Sequence, residues 1–255
     1  MKVLPPNPQM SSYIEAYYFT SLNMLQPYPI VHFPAISCSH LKFSTQSGIL
    51  TGQTTRPTEI ASDLDTTGFG IKLRIGAVYA LFDIPAYEIT NCVINLEDIL
   101  GNSASELVER ASEASTPLEK TRHVERIFMR LAQRNRKKNF SPELAVLEAL
   151  TNSHFSTLSC LAEQFGYSSR QLQRKLKNFI GLTPTLFKRI SRFEKALQLI
   201  QPPVSKGNFA WCDIAFRCGY SDQAHFIRDF REFTGYSPTA YVADLEMSDS
   251  FNTRE

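Results

Sequence analysis

Several features that would assign a 255-residue chain at once are scarce here. Cysteine is sparse: Cys38, Cys92, Cys160, Cys212 and Cys218 are odd in number and never spaced as Cys-x-x-Cys, which argues against a disulfide framework. No apolar run approaches the roughly 18–20 residues a membrane helix requires. Pro5 and Pro6 interrupt the first residues before an apolar signal-peptide core can form, so the expected location is the cytoplasm, with no membrane partner. There is one tryptophan, Trp211. No Ser/His/Asp set, phosphate-cradling glycine loop or paired-carboxylate pattern is present, so no catalytic residue, cofactor or enzymatic activity is expected. Nor is there an excess of one charge overall, since 27 Lys+Arg against 25 Asp+Glu leave +2.

The near-zero net charge conceals an uneven distribution. Residues 1–133 carry 10 basic and 13 acidic side chains, residues 134–245 carry 16 and 9, and the last ten carry 1 and 3. An acidic front and a basic back imply two domains with different partners, the basic one suited to phosphate. In the front, Phe69, Ile71, Leu73 and Ile75 alternate with Gly70, Lys72 and Arg74 as a half-buried strand. Shorter extended runs fall at 13–19, 29–36, 40–45 and 48–54. The period then becomes helical, with Ser103 to Glu106 and Thr116-Pro117 as helix starts. Leu118, Val124, Ile127, Phe128 and Leu131 lie on one helix face, fit for a dimer contact or for packing on the chain's own core. Arg134 to Asn139 has no apolar residue and reads as a linker at 134–141, either a solvated helix end or a basic arm.

From Ser141 to Asp244 the pattern is nearly all helical, and it repeats. Ala162 and Gly166-Tyr167-Ser168 match Ala215 and Gly219-Tyr220-Ser221 at an offset of 53; beyond the turn the offset is 54, pairing Leu172, Arg174, Leu176, Phe179, Gly181 and Pro184 with Phe226, Arg228, Phe230, Phe233, Gly235 and Pro238. One residue is inserted in the second turn or at the start of its following helix. Each unit is helix, glycine turn, helix, a duplicated organisation that is informative in itself. In unit one Ser168 and Gln171 form a capping-box pattern. The helix they open turns Leu172, Leu176 and Phe179 inward and Arg170, Gln173, Arg174 and Lys177 outward. From Ser168 to Phe193 there are seven bases and no acid. Such a face suits the DNA major groove, where arginine pairs with guanine and glutamine with adenine; alone it could equally be a solvated face of an ordinary bundle. Between the units, Thr183-Pro184 opens a long helix carrying Leu186, Phe187, Ile190, Phe193, Leu197 and Ile200.

These residues resemble the AraC/XylS family of transcription regulators over 142–245. The resemblance rests on Ala162 and Gly166-Tyr167-Ser168 in unit one. In unit two it rests on Asp213 to Ala215, Cys218 to Asp222, Phe226, Arg228, Phe230, Gly235 to Pro238, and Tyr241. It implies that the second helix of each unit enters a major groove of double-stranded DNA, with Arg170, Gln173, Arg174 and Lys177 contacting DNA in unit one and Gln223, Ala224, Ile227 and Arg228 in unit two. Unit two departs in charge, having only Arg228 and Arg231 against Asp222, Asp229 and Glu232 from Ser221 to Tyr241, so unit one is expected to dominate affinity.

Residues 1–133 resemble a sensor-type domain found ahead of some family members. The carrying residues are Tyr13 to Tyr18, Gly52 to Pro57, Gly68 to Arg74 and Val93 to Asp98. The implied fold class is α+β: a small, cupin-like N-terminal β-barrel with helices, then an all-α domain of two helix-turn-helix units joined by a long helix, with a tail at 246–255. Further implied partners are RNA polymerase, a small-molecule effector and a second copy of the chain. Two alternatives remain open, a front domain that serves only dimer or protein contacts and a metal-dependent barrel enzyme. The latter lacks support, because His32, Cys38 and His40 have no second ligand pair. Tyr17, Tyr18, Phe19, Phe33, Phe43 and Phe69 could line a cavity or fill a core. His225 could touch DNA or cap its helix.

Overall fold

The computed structural model describes residues 2–19, 30–33, 35–44, 46–61, 66–135, 141–152, 157–200 and 210–244. In the front half the strands are β1 (Lys2–Leu4), β2 (Ile14–Phe19), β3 (Ile30–Phe33), β4 (His40–Ser44), β5 (Gly48–Thr51), β6 (Thr58–Ala61), β7 (Thr66–Leu73) and β8 (Val93–Asn95). Six form one sheet in the order β1-β2-β7-β4-β5-β8, and β3 pairs with β6 in a second. Every strand pairing is antiparallel. The α+β class therefore holds, and the expected barrel takes the form of a main sheet plus a two-stranded ribbon.

Period-2 alternation explains which face is buried. Leu41 and Phe43 of β4 lie opposite Ile71 and Phe69 of β7, and all four are at most 2% exposed. The rings of Phe43, Phe19 and Tyr17 stack on Phe69 with centroids 5.1, 5.0 and 6.2 Å away. Tyr17, Phe43 and Phe69 thus fill the core with Phe19 packed against it, while Tyr18 is half-buried and the Phe33 side chain lies outside the described residues. Helices α1 (Ala77–Phe82), α2 (Leu96–Leu100), α3 (Asn102–Glu113) and α4 (Pro117–Arg134) follow. Thr116 opens α4 with a complete capping box to Glu119, whereas α3 starts at Asn102 without a side-chain cap, two residues before the start that Ser103 as N-cap would give, so the expected capping box at Ser103–Glu106 is not formed. The apolar stripe of α4 is used internally. Val124, Ile127 and Phe128 are buried in the same core as the sheet, and Leu118 alone of the stripe is mostly exposed. Burying each such side chain contributes about 1.5–3 kcal/mol.

The back half is helical: α5 (Ser141–Asn152), α6 (Leu158–Gln164), α7 (Ser169–Ile180), α8 (Pro184–Ile200), α9 (Trp211–Arg217) and α10 (Gln223–Thr234), then a helical stretch over 238–244. Thr183 caps α8 by accepting from the Leu186 N–H at 3.2 Å. Seventeen residues make α8 about 25 Å long. Phe187, Ile190, Phe193, Ala196 and Ile200 of α8 enter one core with Leu172, Leu176 and Phe179 of α7 and Phe226, Phe230 and Phe233 of α10. Phe193 packs edge-on to Phe230 at 5.4 Å and tilted against Phe233 at 5.3 Å.

The two halves touch extensively. Ala35, from the front half, is fully buried within the helical core, where Ile75 and Tyr79 also pack. The basic stretch 136–140 and the acidic pair Asp63 and Asp65 lie outside the described residues.

Candidate nucleic-acid interface

The repeat seen in the sequence is also a repeat of hydrogen bonds. In unit one the Gly166 N–H donates to Glu163 O at 3.0 Å and the Tyr167 N–H to Ala162 O at 2.8 Å; in unit two the Gly219 N–H donates to Phe216 O and the Tyr220 N–H to Ala215 O, both at 3.0 Å. Gly166 and Gly219 have φ of 71° and 81°, the left-handed region where a side chain is strained. Ala162 and Ala215 are buried at the crossing of each helix pair.

The units diverge at the next residue. Ser168 caps α7, accepting from the Gln171 N–H at 3.2 Å while the Gln171 amide accepts from the Ser168 N–H at 2.9 Å. In unit two the cap is Asp222, which accepts from the His225 N–H at 2.7 Å. The inserted residue therefore lies in the turn, before the cap. That bond from His225, helped by Ser221, holds the Asp222 carboxyl below its ordinary range. The His225 ring Nδ1 is 3.3 Å from Ser221 Oγ and the ring stands edge-on to Tyr220, so its side chain is engaged at the turn.

Arg170, Gln173, Arg174 and Lys177 are all exposed, at i, i+3, i+4 and i+7 along α7, and these four line a groove of about 740 Å³ that continues to Thr183 and Pro184. In α10, Ala224 and Arg228 are exposed and Gln223 is half-buried. Ile227 is half-buried too and leans on the helical core, so it offers less outward surface than its position suggested.

The acids that made unit two look unfavourable are mostly occupied. Asp229 is 2% exposed. Arg189 of α8 donates to its Oδ1 through Nε at 3.1 Å and Nη2 at 2.7 Å, and the same guanidinium bonds Glu232 at 3.2 and 2.5 Å. These carboxylates raise the Arg189 pKa further above its ordinary value. Arg192 stacks on the Tyr220 ring at 4.7 Å, with its guanidinium 3.8 Å from Asp229. Two of the seven bases in the acid-free run therefore neutralise α10, and a third, Lys175, pairs with Glu143 at 2.8 Å. Sequence reasoning missed this network. Its signal was there to be read, since Arg189 and Arg192 sit three apart on α8 and Asp229 and Glu232 three apart on α10, the spacing of one helix face.

Sequence reasoning also missed the front-half residues that reach the recognition helix. The Lys177 ammonium lies 4.8 Å over the Tyr87 ring. The Gln53 amide donates to Thr90 Oγ1 at 2.7 Å, and the Thr90 hydroxyl donates to Gly181 O, the end of α7, at 3.1 Å. On α8, Glu194 accepts from the Ser37 N–H at 3.0 Å and the Ser37 hydroxyl at 2.6 Å. Burial pushes the Glu194 carboxyl above its ordinary value despite those bonds. In the sequence Glu194 looks like a solvated acid ending a basic run.

Among the described residues no group of three or more His, Cys, Asp or Glu side chains could hold a metal. Cys38 Sγ and His40 Nε2 are 3.5 Å apart, but burial raises the thiol to about 12 and, with Lys72 and Lys42, lowers the imidazole to about 4. The His32 side chain lies outside the described residues. No helix among the described residues is long and apolar enough to cross a membrane.

This geometry has counterparts in known proteins. Residues 161–244 match the family described as a helix-turn-helix domain, and residues 2–95 match a domain of unknown function (DUF6597). The chain is 35% identical over 136 residues to the HTH-type transcriptional activator RhaS of Escherichia coli (strain SE11), covering 49% of this chain and 48% of that one. It thus spans about half the length of the curated relatives it matches. Among solved structures, the DNA-binding domain of AdpA in complex with a target DNA aligns with 42% of this chain and 91% of its own, at 23% identity and a TM-score of 0.34. ToxT from Vibrio cholerae aligns with 94% of this chain and 95% of its own, at 13% identity and a TM-score of 0.42. The duplicated turn and cap geometry and the match over residues 161–244 lead to one identification: that part of the chain is a helix-turn-helix domain, preceded over residues 2–95 by a domain of unknown function.

Proposed function

We propose that this protein is a sequence-specific DNA-binding transcription regulator of the AraC/XylS type, acting in the cytoplasm as an activator through contact with RNA polymerase. In this reading residues 142–245 read double-stranded DNA and residues 1–133 regulate them. The observation that carries it is the exposed row Arg170, Gln173, Arg174 and Lys177 on a capped helix whose turn recurs in unit two. Arg170 and Arg174 are base readers of guanine, Gln173 of adenine, and Lys177 a phosphate contact. In unit two Gln223 and Arg228 read base edges, and Ala224 and the outer edge of Ile227 offer apolar contact to a thymine methyl.

Selection of bound DNA from a random library, repeated at two salt concentrations, tests this. The expected result is an enriched sequence whose affinity falls steeply with salt as counterions are released. Enrichment of nothing, or binding insensitive to salt, would overturn it.

For the front domain, modulation by a small-molecule effector and homodimerisation both belong to this proposal. One observation favours a second reading, in which the front domain makes only protein contacts. Tyr17, Phe19, Phe43 and Phe69 are stacked against one another in the core of the front half, so these rings fill space rather than line a cavity. A thermal-shift screen with small metabolites separates the two, because a bound effector raises the melting temperature by mass action.

A further inference from the structure

The C-terminal ends of the two recognition helices are related by the repeat, and both rest on the front half. At the end of α7, the Thr90 hydroxyl meets Gly181 O. At the end of α10, the Ala35 N–H donates to Phe233 O at 2.9 Å. Between them, Ser37 holds Glu194 on the connecting helix α8 through two hydrogen bonds. The front-half segments that make these contacts are fastened to each other. Ile36 and Thr54 exchange backbone hydrogen bonds at 3.0 Å in both directions, the Asn91 N–H donates to Gln53 O at 2.9 Å, and the Leu73 N–H donates to Ser39 O at 3.0 Å, tying the whole to β7. One hydrogen-bonded surface therefore touches unit one, the connecting helix and unit two.

We propose that this surface is a brace that fixes the separation and relative orientation of the two recognition helices, and so determines which spacing between two DNA elements the protein accepts. The front half then contributes to sequence specificity without touching a base. This rests on the reading of residues 142–245 as a DNA reader. The physical argument is one of register. One base pair of spacer shifts the second element by about 3.4 Å along the duplex and rotates it by about 35°. A pair of helices held at three points cannot follow that displacement, whereas a pair joined by α8 alone can bend toward it. Ser37, Thr90 and the Ala35 amide are positioning groups, acting through Glu194, Gly181 and Phe233.

Two glycines provide a matched test. Gly181 and Gly235 end α7 and α10 with nearly the same backbone, φ 73° and 81°, so alanine brings the same strain to each. A Cβ at Gly181 would fall 1.6 Å from Gln53 Nε2 and 2.6 Å from Ala86 O and Thr90 Oγ1, while one at Gly235 meets only Pro57 Cγ at 3.9 Å. The experiment is selection by the full chain from a library of paired elements with variable spacers, using wild type, Gly181→Ala and Gly235→Ala, with folding checked by circular dichroism. Wild type is expected to prefer one spacer by about tenfold or more over its neighbours, a difference of about 1.4 kcal/mol. Gly181→Ala should reduce that preference to within about threefold and keep the base preferences inside each element, while Gly235→Ala keeps both. If Gly181→Ala does not fold, the double variant Ser37→Ala/Thr90→Val, which deletes the two side-chain hydrogen bonds to Glu194 and Gly181 without adding bulk and leaves the backbone bonds of Ser37 and Ala35 in place, is read in its place, a measurable weakening of the spacer preference being the expected result. An unchanged spacer preference in the braced-contact variant overturns the brace, as does its loss in Gly235→Ala or a wild type indifferent to spacing. A wild type that enriches no DNA overturns the reading beneath it and the brace together.

Discussion

Unit one and unit two share a turn, a core position for every inward side chain and a glycine stop, yet their outward faces are built differently. Unit one presents its cations directly: Arg170, Gln173, Arg174 and Lys177 are exposed along α7. Unit two carries acids that would repel a phosphate backbone, and α8 neutralises them, Arg189 taking Asp229 and Glu232 together. The seven bases between Ser168 and Phe193 are thus not one surface. Some belong to the groove of unit one and some to the foundation of unit two. A charge run in a sequence says how much charge is present, and the fold decides which face receives it. The proposal that unit one dominates affinity then rests on unit two having fewer outward polar groups, with Gln223 and Ile227 half-buried, more than on its acids.

The comparison can be broken most severely at Phe193, the ring that packs against both Phe230 and Phe233 and is fully buried. Phe193→Ala should cost about 3–5 kcal/mol. If the two units share one core, circular dichroism will record a single transition at lower temperature, whereas a biphasic melt would show that they fold apart.

Acid tests the surface behind Ser37. Neutral His40 is favoured in the fold, its pKa lowered to about 4 by burial and by Lys72 and Lys42. The unfolded chain therefore binds more protons between about pH 6.5 and 4, and stability falls as pH drops through that window, by on the order of 3 kcal/mol. His40→Asn should remove most of that slope while Glu194, common to both proteins, cancels in the difference. Equal slopes in urea titrations at pH 7 and pH 5 would show that His40 does not carry the effect.

Asp229→Ala should destabilise the protein by about 3 kcal/mol, because Arg189 and Arg192 lose a partner that is 2% exposed. The corresponding change in unit one, Glu143→Gln, frees the 41% exposed Lys175 and should cost no more than about 1 kcal/mol. Chemical denaturation of both variants decides whether the units differ in their foundations as described.

The DNA-facing contrast is finer. Arg174→Ala should lose about 1–3 kcal/mol of affinity and relax specificity at one base position. Lys188→Ala, on the exposed side of α8, should weaken every sequence modestly and flatten the salt dependence by about one phosphate contact. Equal, sequence-independent losses from both would remove Arg174 as a base reader.

The helical half was largely legible in its sequence, because local rules and tertiary structure agree there. Gly166 and Gly219 take positive φ as the turn requires, Ser168 caps with Gln171, and Leu172, Leu176 and Phe179 are buried at the helical period. In the front half the alternation of Phe69, Ile71 and Leu73 identified one strand, but pairing order cannot be read from period-2 patterns, and β7 lies between β2 and β4. The exposed row of α7 was visible as a face. What stayed hidden were contacts between segments far apart in the chain: Ser37 with Glu194 are 157 residues apart and Thr90 with Gly181 are 91 apart. Each partner looks like an ordinary surface polar residue until the fold brings the other to it. The displacement of the cap to Asp222, one residue past the counterpart of Ser168, was hidden for the opposite reason, since two adjacent residues could both serve and only the geometry of the turn distinguishes them.

That shift has an electrostatic consequence. The first turn of a helix, with its unpaired N–H groups and positive dipole end, is a natural seat for an anion. At α7 the seat is edged by the neutral hydroxyl of Ser168. At α10 it is already taken by a carboxylate, since Asp222 accepts the His225 N–H and its pKa is lowered by that bond. A sugar-phosphate strand can approach α7 by its leading end, but the same approach to α10 sets phosphate against aspartate. In the proposed complex a duplex meets a neutral leading end at α7 and an anionic one at α10, so the proposed grip is asymmetric, with one direction along the site distinguished from the other.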